Sequence, residues 1–333
     1  MIHLTNSIFK TAISCPARCM AMYKGRMTGD PDFVPTFVQD GSKAMPCGSL
    51  VDAMVTKGYS PDIDADIAPE DFYGFLKSSY DDGMKNATWL CNKSTKTKKG
   101  GWNADAKTAI KSAERLMADP VAKDLIDQSE KQVKIAFNLD EETVFSGDID
   151  LLQMDSKTLR IIDLKSPGKL AGGWIVSGGK NLKVSWEESW NYPMQLMGYR
   201  YGFQNARETL LINGVPLADT KYARPFCIDT GLLVTTREVV PMVKYIPIPD
   251  YGDWWRAIIK GRMNDGSMSN LEAIKRIVKG EIEAPRCGDC EFCRPTNKVV
   301  IEESTSFEGA TPAIDDIYGY LEIDDDNIYA NEF

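Results

Sequence analysis

The chain has 333 residues, of which 43% are hydrophobic and 26% charged, with a formal net charge of −9 and eight cysteines. That length suits one large α/β domain with additions, or two smaller domains. No apolar run approaches the ~20 residues that cross a bilayer, MIHLTNSIFK lacks the basic start and apolar stretch of a secretory signal, and eight cysteines spread over such a length do not form the dense framework of a small secreted scaffold. A cytoplasmic enzyme without membrane association is therefore expected.

Ile8, Phe9, Ala12 and Ile13 have the spacing of a short helix, and Cys15-Pro16 follows it. A Pro/Gly/Asp-rich loop is predicted for 28–42. Cys47 to Met54 reads as a glycine entry into a helix, and 60–72 as loop. Lys93, Lys96, Lys98 and Lys99 lie in a basic loop ending in glycine, with Trp89 and Trp102 nearby. That patch either tracks a phosphate backbone with aromatic stacking or is a solvated lysine loop. A helix is predicted over 104–117, then strands over 132–139, 143–153 and 158–165.

The last two of these strands carry the chemistry. In SGDIDLLQMDSKTLRIIDLKS, two apolar runs joined by a turn at Asp155, Ser156 and Lys157 each carry acids. Side chains alternate along a strand, so Asp163 and Lys165 share a side, as do Asp148 and Asp150. One carboxylate from each strand, Asp150 and Asp163, can then meet beside Lys165. Hard oxygens of this kind suit Mg²⁺ or Mn²⁺, and a cation held there is a plan for cleaving a phosphodiester bond. Asp-x-Asp also occurs in metal-dependent glycosyltransferases, so Asp148 and Asp150 alone leave that alternative open.

A Gly-rich loop is predicted near 168–181, then a helix over 188–204 that places Gln195 and Tyr199 one turn apart on one face. Lys180 and Lys183, with Trp186 and Trp190, form a second basic–aromatic group for nucleic-acid contact. Strands near 208–213, 225–235 and 239–247 precede helices near 250–263 and 270–279, and Trp254 and Trp255 read as core. Cys287, Cys290 and Cys293 follow at two-residue gaps and need a fourth ligand. Thiolates suit an iron–sulfur cluster or Zn²⁺, and a reduced cluster without metal is the third option. Cys47, Cys91 and Cys227 read as ordinary thiols. After Lys298 the chain has ten acids and no Lys or Arg, so without this tail the charge is +1. The overall acidity therefore does not exclude a nucleic-acid partner. The tail, with interleaved aromatic and aliphatic residues, docks on a partner, covers a basic groove, or has no role.

Gly147 to Asp150, then Asp163-Leu164-Lys165, then Gln195 to Tyr199 resemble in order and context the PD-(D/E)xK nuclease superfamily, in its RecB-like and RecE-like branch. The resemblance implies an α/β restriction-endonuclease-like core: a central mixed β-sheet flanked by helices, with N- and C-terminal additions. It spans most of residues 8 to 295, giving a nuclease-like domain over 1–300 and an acidic tail over 301–333. The branch usually carries a histidine on an N-terminal helix. Here the matching segment Gly48-Ser49-Leu50-Val51-Asp52 puts Asp52 in that position, and the chain's single histidine is His3. The implied ligands are Asp52, Asp150, Asp163 and the Leu164 carbonyl, with Lys165 orienting the attacking water. Gln195 and Tyr199 brace the site or touch the DNA backbone. Glu130 is a further candidate, read more simply as a solvated helix residue. Cys15-Pro16 is similar to the start of iron–sulfur nucleases in which one N-terminal and three C-terminal cysteines hold a [4Fe–4S] cluster, with Cys19 as a substitute for Cys15. Those families leave about five residues between the last two cysteines where this chain has two, so Zn²⁺ stays open.

The implied activity is that of a metal-dependent DNA exonuclease of phage type, resecting linear duplex ends for recombination beside a single-strand annealing protein. Many such relatives form rings, and oligomerisation is left open. The alternatives are a non-catalytic DNA-binding accessory protein with the same fold, and the glycosyltransferase above.

Overall fold

Three apolar strands build the centre: β2 (Ser129–Asn138), β3 (Thr143–Met154) and β4 (Thr158–Lys165). The computed structural model of the chain describes residues 1–20, 44–64, 90–92, 100–177, 180–189, 191–224, 227–261 and 268–287. Among them the main sheet runs β10-β9-β4-β3-β2-β7-β8, and β1 (Ile2–Thr5) pairs additionally with β3. Here β7 is Leu211–Ile212, β8 Val215–Pro216, β9 Cys227–Thr235 and β10 Val243–Ile248. The β4–β9 and β1–β3 pairs are parallel and the others antiparallel. This is the mixed sheet expected from the sequence. The β3–β4 turn closes as foreseen, with the Asp155 carboxylate accepting from the Lys157 and Thr158 amides, both at 2.8 Å.

Helices cover both faces. One face packs against α1 (Asn6–Ser14), α6 (Tyr192–Asn205), α7 (Trp254–Lys260) and α8 (Asn270–Lys279) around buried Phe9, Phe137, Phe145, Phe203 and Trp255. Trp255 meets the Phe145 ring edge-on with centroids 5.3 Å apart, a favourable quadrupole arrangement. The other face packs against α2 (Ala44–Lys57), α3 (Ala104–Ala118) and α4 (Pro120–Asp127) around Leu50, Ile110, Leu116, Leu151 and Ile162. Buried Ser112 fastens α3 to the end of β9, donating to the Thr236 carbonyl at 2.9 Å and accepting from the Thr235 hydroxyl at 3.0 Å.

Several elements differ from the sequence reading. α4 starts at Asp119-Pro120, which ends α3 and at once caps the next helix, the Asp119 carboxylate accepting from the Val121 and Ala122 amides. The region read as a Gly-rich loop contains a two-stranded sheet of β5 (Gly173–Ser177) and β6 (Lys180–Val184), followed by the short α5 (Trp186–Ser189). The strand expected near 208–213 is shorter, because Asn213-Gly214, both at positive φ, folds it into a tight hairpin. Glu130 is on β2 rather than a helix and is ion-paired with Lys221.

β3 positions the site. Its first residues, Thr143–Ser146, pair with β1, and Leu151–Met154 pair with β4 on the same edge. Residues 147–150 fall between these two partners, while the other edge stays paired with β2.

The packing of α6 on the sheet depends on a close approach at Gly202, where an added Cβ would lie 2.6 Å from Phe137 Cε1. Alanine is the better helix former by about 1 kcal/mol, but overpacking a filled core costs about 1–3 kcal/mol. Gly202→Ala is therefore expected to lower stability, read as a lower urea midpoint at unchanged slope.

Candidate active site

β3 and β4 separate one step beyond the Leu151–Ile162 pair, where their register sets Asp150 opposite Asp163. β4 continues to Lys165 paired only on its β9 side. The Leu164 amide, turned toward the open wedge, donates to Asp150 Oδ2 at 2.7 Å. A backbone donor with no ladder partner thus fixes the carboxylate. Face alternation is also reset here, since Ile149 packs on the α6 side of the sheet and Leu151 on the α2–α3 side. Asp148 and Asp150, expected to share a face of a regular strand, both line the same cavity across this irregularity. Opposite Asp150 on β2 stands Gln132, at φ 52°. A left-handed backbone costs a non-glycine residue on the order of 1–3 kcal/mol.

Asp163 and Lys165 share a side of β4, as alternation requires, and form an ion pair. Asp163 is 3% exposed, and its Oδ1 accepts from Gln195 Nε2 at 3.0 Å. The same Nε2 donates to the Tyr199 hydroxyl at 3.1 Å, and that hydroxyl donates to the Asp148 carbonyl at 3.0 Å. The three sequence elements therefore meet as one network. Gly147 is needed for it: a Cβ there would lie 2.6 Å from Tyr199 Cε1 and 3.0 Å from its hydroxyl. Burial opposes the charge on Lys165, but Asp163 and Asp150 outweigh it and hold its pKa above the ordinary lysine range. Lys165 Nζ also sits 5.0 Å from the centre of the Tyr192 ring. Burial, followed by Asp163, raises the Tyr199 pKa, so the phenol stays a donor.

Asp52, on α2, reaches the same place. Gln132 Nε2 donates to Asp52 Oδ1 at 2.9 Å and to Asp150 Oδ1 at 3.2 Å, and the Thr56 hydroxyl donates to Asp52 Oδ1 at 3.1 Å. Burial pushes both carboxylates above the usual range, and Asp163 adds to the shift at Asp150. Asp52, Asp148 and Asp150 line a cavity of about 860 Å³, whose lining also includes Lys165, Lys169, Arg237, Trp186 and Tyr192. Clefts elsewhere, beside Arg207 and beside Arg160, are smaller at about 660 and 550 Å³. The expected ligand set does not gather as one group. Among the described residues no cluster of three or more His, Cys, Asp or Glu side chains is placed to hold a metal. Asp163 is turned to Gln195 and Lys165 and is not part of the cavity lining, whereas Asp52, Asp150 and Leu164 are.

Other sequence candidates fall differently. Lys93, Lys96, Lys98, Lys99, Trp89 and Trp190 lie outside the described residues, as do Cys290 and Cys293. Trp102, read as a stacking residue, is instead 1% exposed in the α2–α3 core, its indole N–H donating to the Asp62 carbonyl. Lys180 and Lys183 are on β6, and Lys183 is exposed. Trp186 is buried and packs against Tyr192 with ring centres 5.1 Å apart. Cys15 is buried and its sulfur accepts from the Arg18 amide at 3.4 Å. The Ala17 amide donates to the Pro285 carbonyl at 3.1 Å, which brings the segment around Cys15 to the one before Cys287. Cys19 is buried, which pushes its thiol up to about 12, and the thiol donates to the Ile8 carbonyl at 3.5 Å.

Sequence reasoning missed Gln132, Tyr192, Lys169 and Arg237, together with Lys10. Burial, then the charge of Lys165, lowers the Lys10 pKa, which places this α1 lysine near the site. Arg237 follows β9, and its Nε donates to the Ser166 carbonyl at 2.7 Å while its amide donates to the Pro167 carbonyl at 2.8 Å. No local spacing connects it with Lys165; the parallel pairing of β9 with β4 brings the two strand ends together.

The model of a family described as a PDDEXK-like domain of unknown function (DUF3799) matches residues 5–224. Among solved structures, the chain is similar to a protein from Eubacterium rectale described as a "putative exonuclease", at 17% identity and a TM-score of 0.58, with 91% of each chain covered. The comparison with curated proteins gives no match.

Two outcomes follow from this geometry. Gly147→Ala is expected to cost about 1–3 kcal/mol by displacing the Tyr199 ring, and Tyr199→Ala, by making room, is expected to absorb part of that cost. A double-mutant cycle in urea should then give a non-zero coupling. For Asp150, a pKa higher in the folded than in the unfolded chain means that folding binds a proton. Its contribution is therefore most favourable at acid pH and declines as pH rises from about 4, the ordinary carboxylate value, toward the elevated one. Asp150→Asn is accordingly expected to raise Tm in EDTA more at pH 8 than at pH 5.

Proposed function

The chain belongs to the PDDEXK-like family whose model it matches over residues 5–224, and from that membership and its site we propose that it is a divalent-metal-dependent deoxyribonuclease acting at the ends of linear duplex DNA. The observation that supports this reading is the β3–β4 opening, which puts Asp52 and Asp150 in one cavity with Lys165, Lys169 and Arg237. Acids suited to a cation and bases suited to a phosphate thus border the same space.

The donor set fits Mg²⁺ or Mn²⁺. Two carboxylates joined through a single neutral amide present hard oxygens to one cavity. Asp150 and Asp52 would hold the ion, with the Leu164 carbonyl in reach of the same cavity. Such an ion, when bound, supplies activation of water and neutralises charge on the phosphate.

The chain's own groups do the rest. Lys165, held protonated by Asp163 and Asp150, is no general base; it orients the attacking water by donating to it and offsets charge on the scissile phosphate. Asp163 keeps that ammonium in place and is itself kept in place by Gln195. Tyr199 braces β3 through the Asp148 carbonyl and does not contact the reacting atoms. Arg237, fixed to residues 166 and 167, and Lys169 receive neighbouring phosphates. A role in recombination beside a single-strand annealing protein belongs to the same proposal and rests on the sequence resemblance.

Incubation with linear and covalently closed circular duplex DNA in Mg²⁺ or Mn²⁺ tests it. Linear DNA is expected to be degraded and circular DNA left intact, and Lys165→Ala or Asp150→Asn is expected to slow cleavage by about 10²–10³-fold. Cleavage that persists in Lys165→Ala would reject the mechanism, and digestion of the circle would reject the exonuclease.

A further inference from the structure

Gln132 has no role in the reaction described above, yet the structure singles it out. Its φ of 52° interrupts β2 while the register with β3 continues unshifted on both sides, from Lys131–Leu151 to Val133–Ile149. Strand interiors do not ordinarily contain such a residue. The amide it carries is half-buried in the cavity lining and reaches two different elements, donating from Nε2 to Asp52 Oδ1 on α2 at 2.9 Å and to Asp150 Oδ1 on β3 at 3.2 Å. An amide nitrogen has two hydrogens, so one atom can satisfy both carboxylates and set the separation of two oxygens that no shared backbone element controls.

We propose that Gln132 is the positioning residue of the cation site, fixing Asp52 and Asp150 at the spacing a divalent ion requires and offering its own Oε1 as a third oxygen. This rests on the nuclease reading in so far as that reading puts an ion between the two carboxylates. Rotation by a half-turn about the last side-chain torsion, which has a broad two-fold profile, exchanges Nε2 for Oε1 without moving the strand. Amide carbonyls are accepted beside carboxylates by hard cations. A neutral third oxygen also adds no further negative charge to a site that already holds two acids. The left-handed backbone gives the side chain its direction, which is why the conformation is retained in a residue that does not favour it.

The test uses the full-length chain and Mn²⁺ without DNA, with affinity read by titration calorimetry or by loss of the free-ion electron paramagnetic resonance signal. Thermal midpoints in EDTA and cleavage of linear duplex are measured in parallel. Gln132→Gly accepts positive φ but has no amide, so it is expected to weaken Mn²⁺ binding by about 10–100-fold while leaving the midpoint in EDTA unchanged or higher. Gln132→Asn tolerates the same φ but is one methylene short, and is expected to weaken binding similarly. Gln132→Glu keeps an oxygen at the same reach and is expected to bind Mn²⁺ at least as tightly as the native chain. Native affinity in the Gly variant overturns the proposal, as does an affinity loss matched by a lower midpoint in EDTA or the absence of Mn²⁺ binding by the native chain. If the Gly variant loses Mn²⁺ while the native chain cleaves no DNA, the positioning role stands and the nuclease reading falls. If the native chain cleaves linear DNA and the Gly variant binds Mn²⁺ normally, the reverse holds.

Discussion

Everything at the site depends on a backbone amide that the sheet cannot pair. β3 shares one edge between β1 and β4, and β4 leaves that edge after Ile162 to run on with β9 alone. The Leu164 N–H at the point of parting needs an acceptor, and Asp150 provides it at 2.7 Å. An unsatisfied amide there would cost on the order of 1–3 kcal/mol, so the parting of the strands and the acid at its apex stabilise each other. Replacing the acid with an aliphatic residue would remove a charge and also leave the end of β4 without its fastening.

The charges gathered around this point are arranged in two tiers. In the first, Asp163 lies outside the cavity lining, held by Gln195, which also bonds Tyr199, and is ion-paired with Lys165, which lines the cavity. In the second, Asp52 and Asp150 share one amide and form no ion pair among the described residues, and burial works against their ionisation. The first is an ion pair, and the second is joined through a neutral amide, with burial opposing and Lys165 favouring its ionisation. A site of this kind trades folding stability for the ability to bind a cation.

The hairpin, the Asp-x-Lys triplet and the Gln–Tyr face could be read from the sequence because each is a local period of two or of about four residues, and such periods survive without knowledge of tertiary contacts. What they do together was less accessible. Alternation correctly puts Asp163 beside Lys165, yet cannot say that Gln195 draws Asp163 away from the cavity. Regular alternation fails at Asp150, where Gln132 on the neighbouring strand takes up a left-handed conformation that glutamine gives no reason to expect. Trp102 looked available because it follows a run of lysines, but its indole is enclosed by helices on either side of it in sequence. Arg237 needed the parallel pairing of β4 with β9, a contact between segments about 70 residues apart. β5 and β6 were hidden by glycines that suggested only loop.

The first strand has a consequence for how the chain is made. Ile2 and Leu4 are buried in the core through pairing with Thr143 and Phe145, about 140 residues later. During synthesis from the N-terminus these side chains leave the ribosome long before their partner exists, so β1 must wait in solvent. Closing so large a loop carries an entropic cost that grows only slowly with its length, and the delay is therefore one of timing more than of final stability. That edge of the central strand can be sealed only once residues 143–146 have been translated, and any segment that competes for Thr143–Ser146 would trap the nascent protein with its first strand displaced.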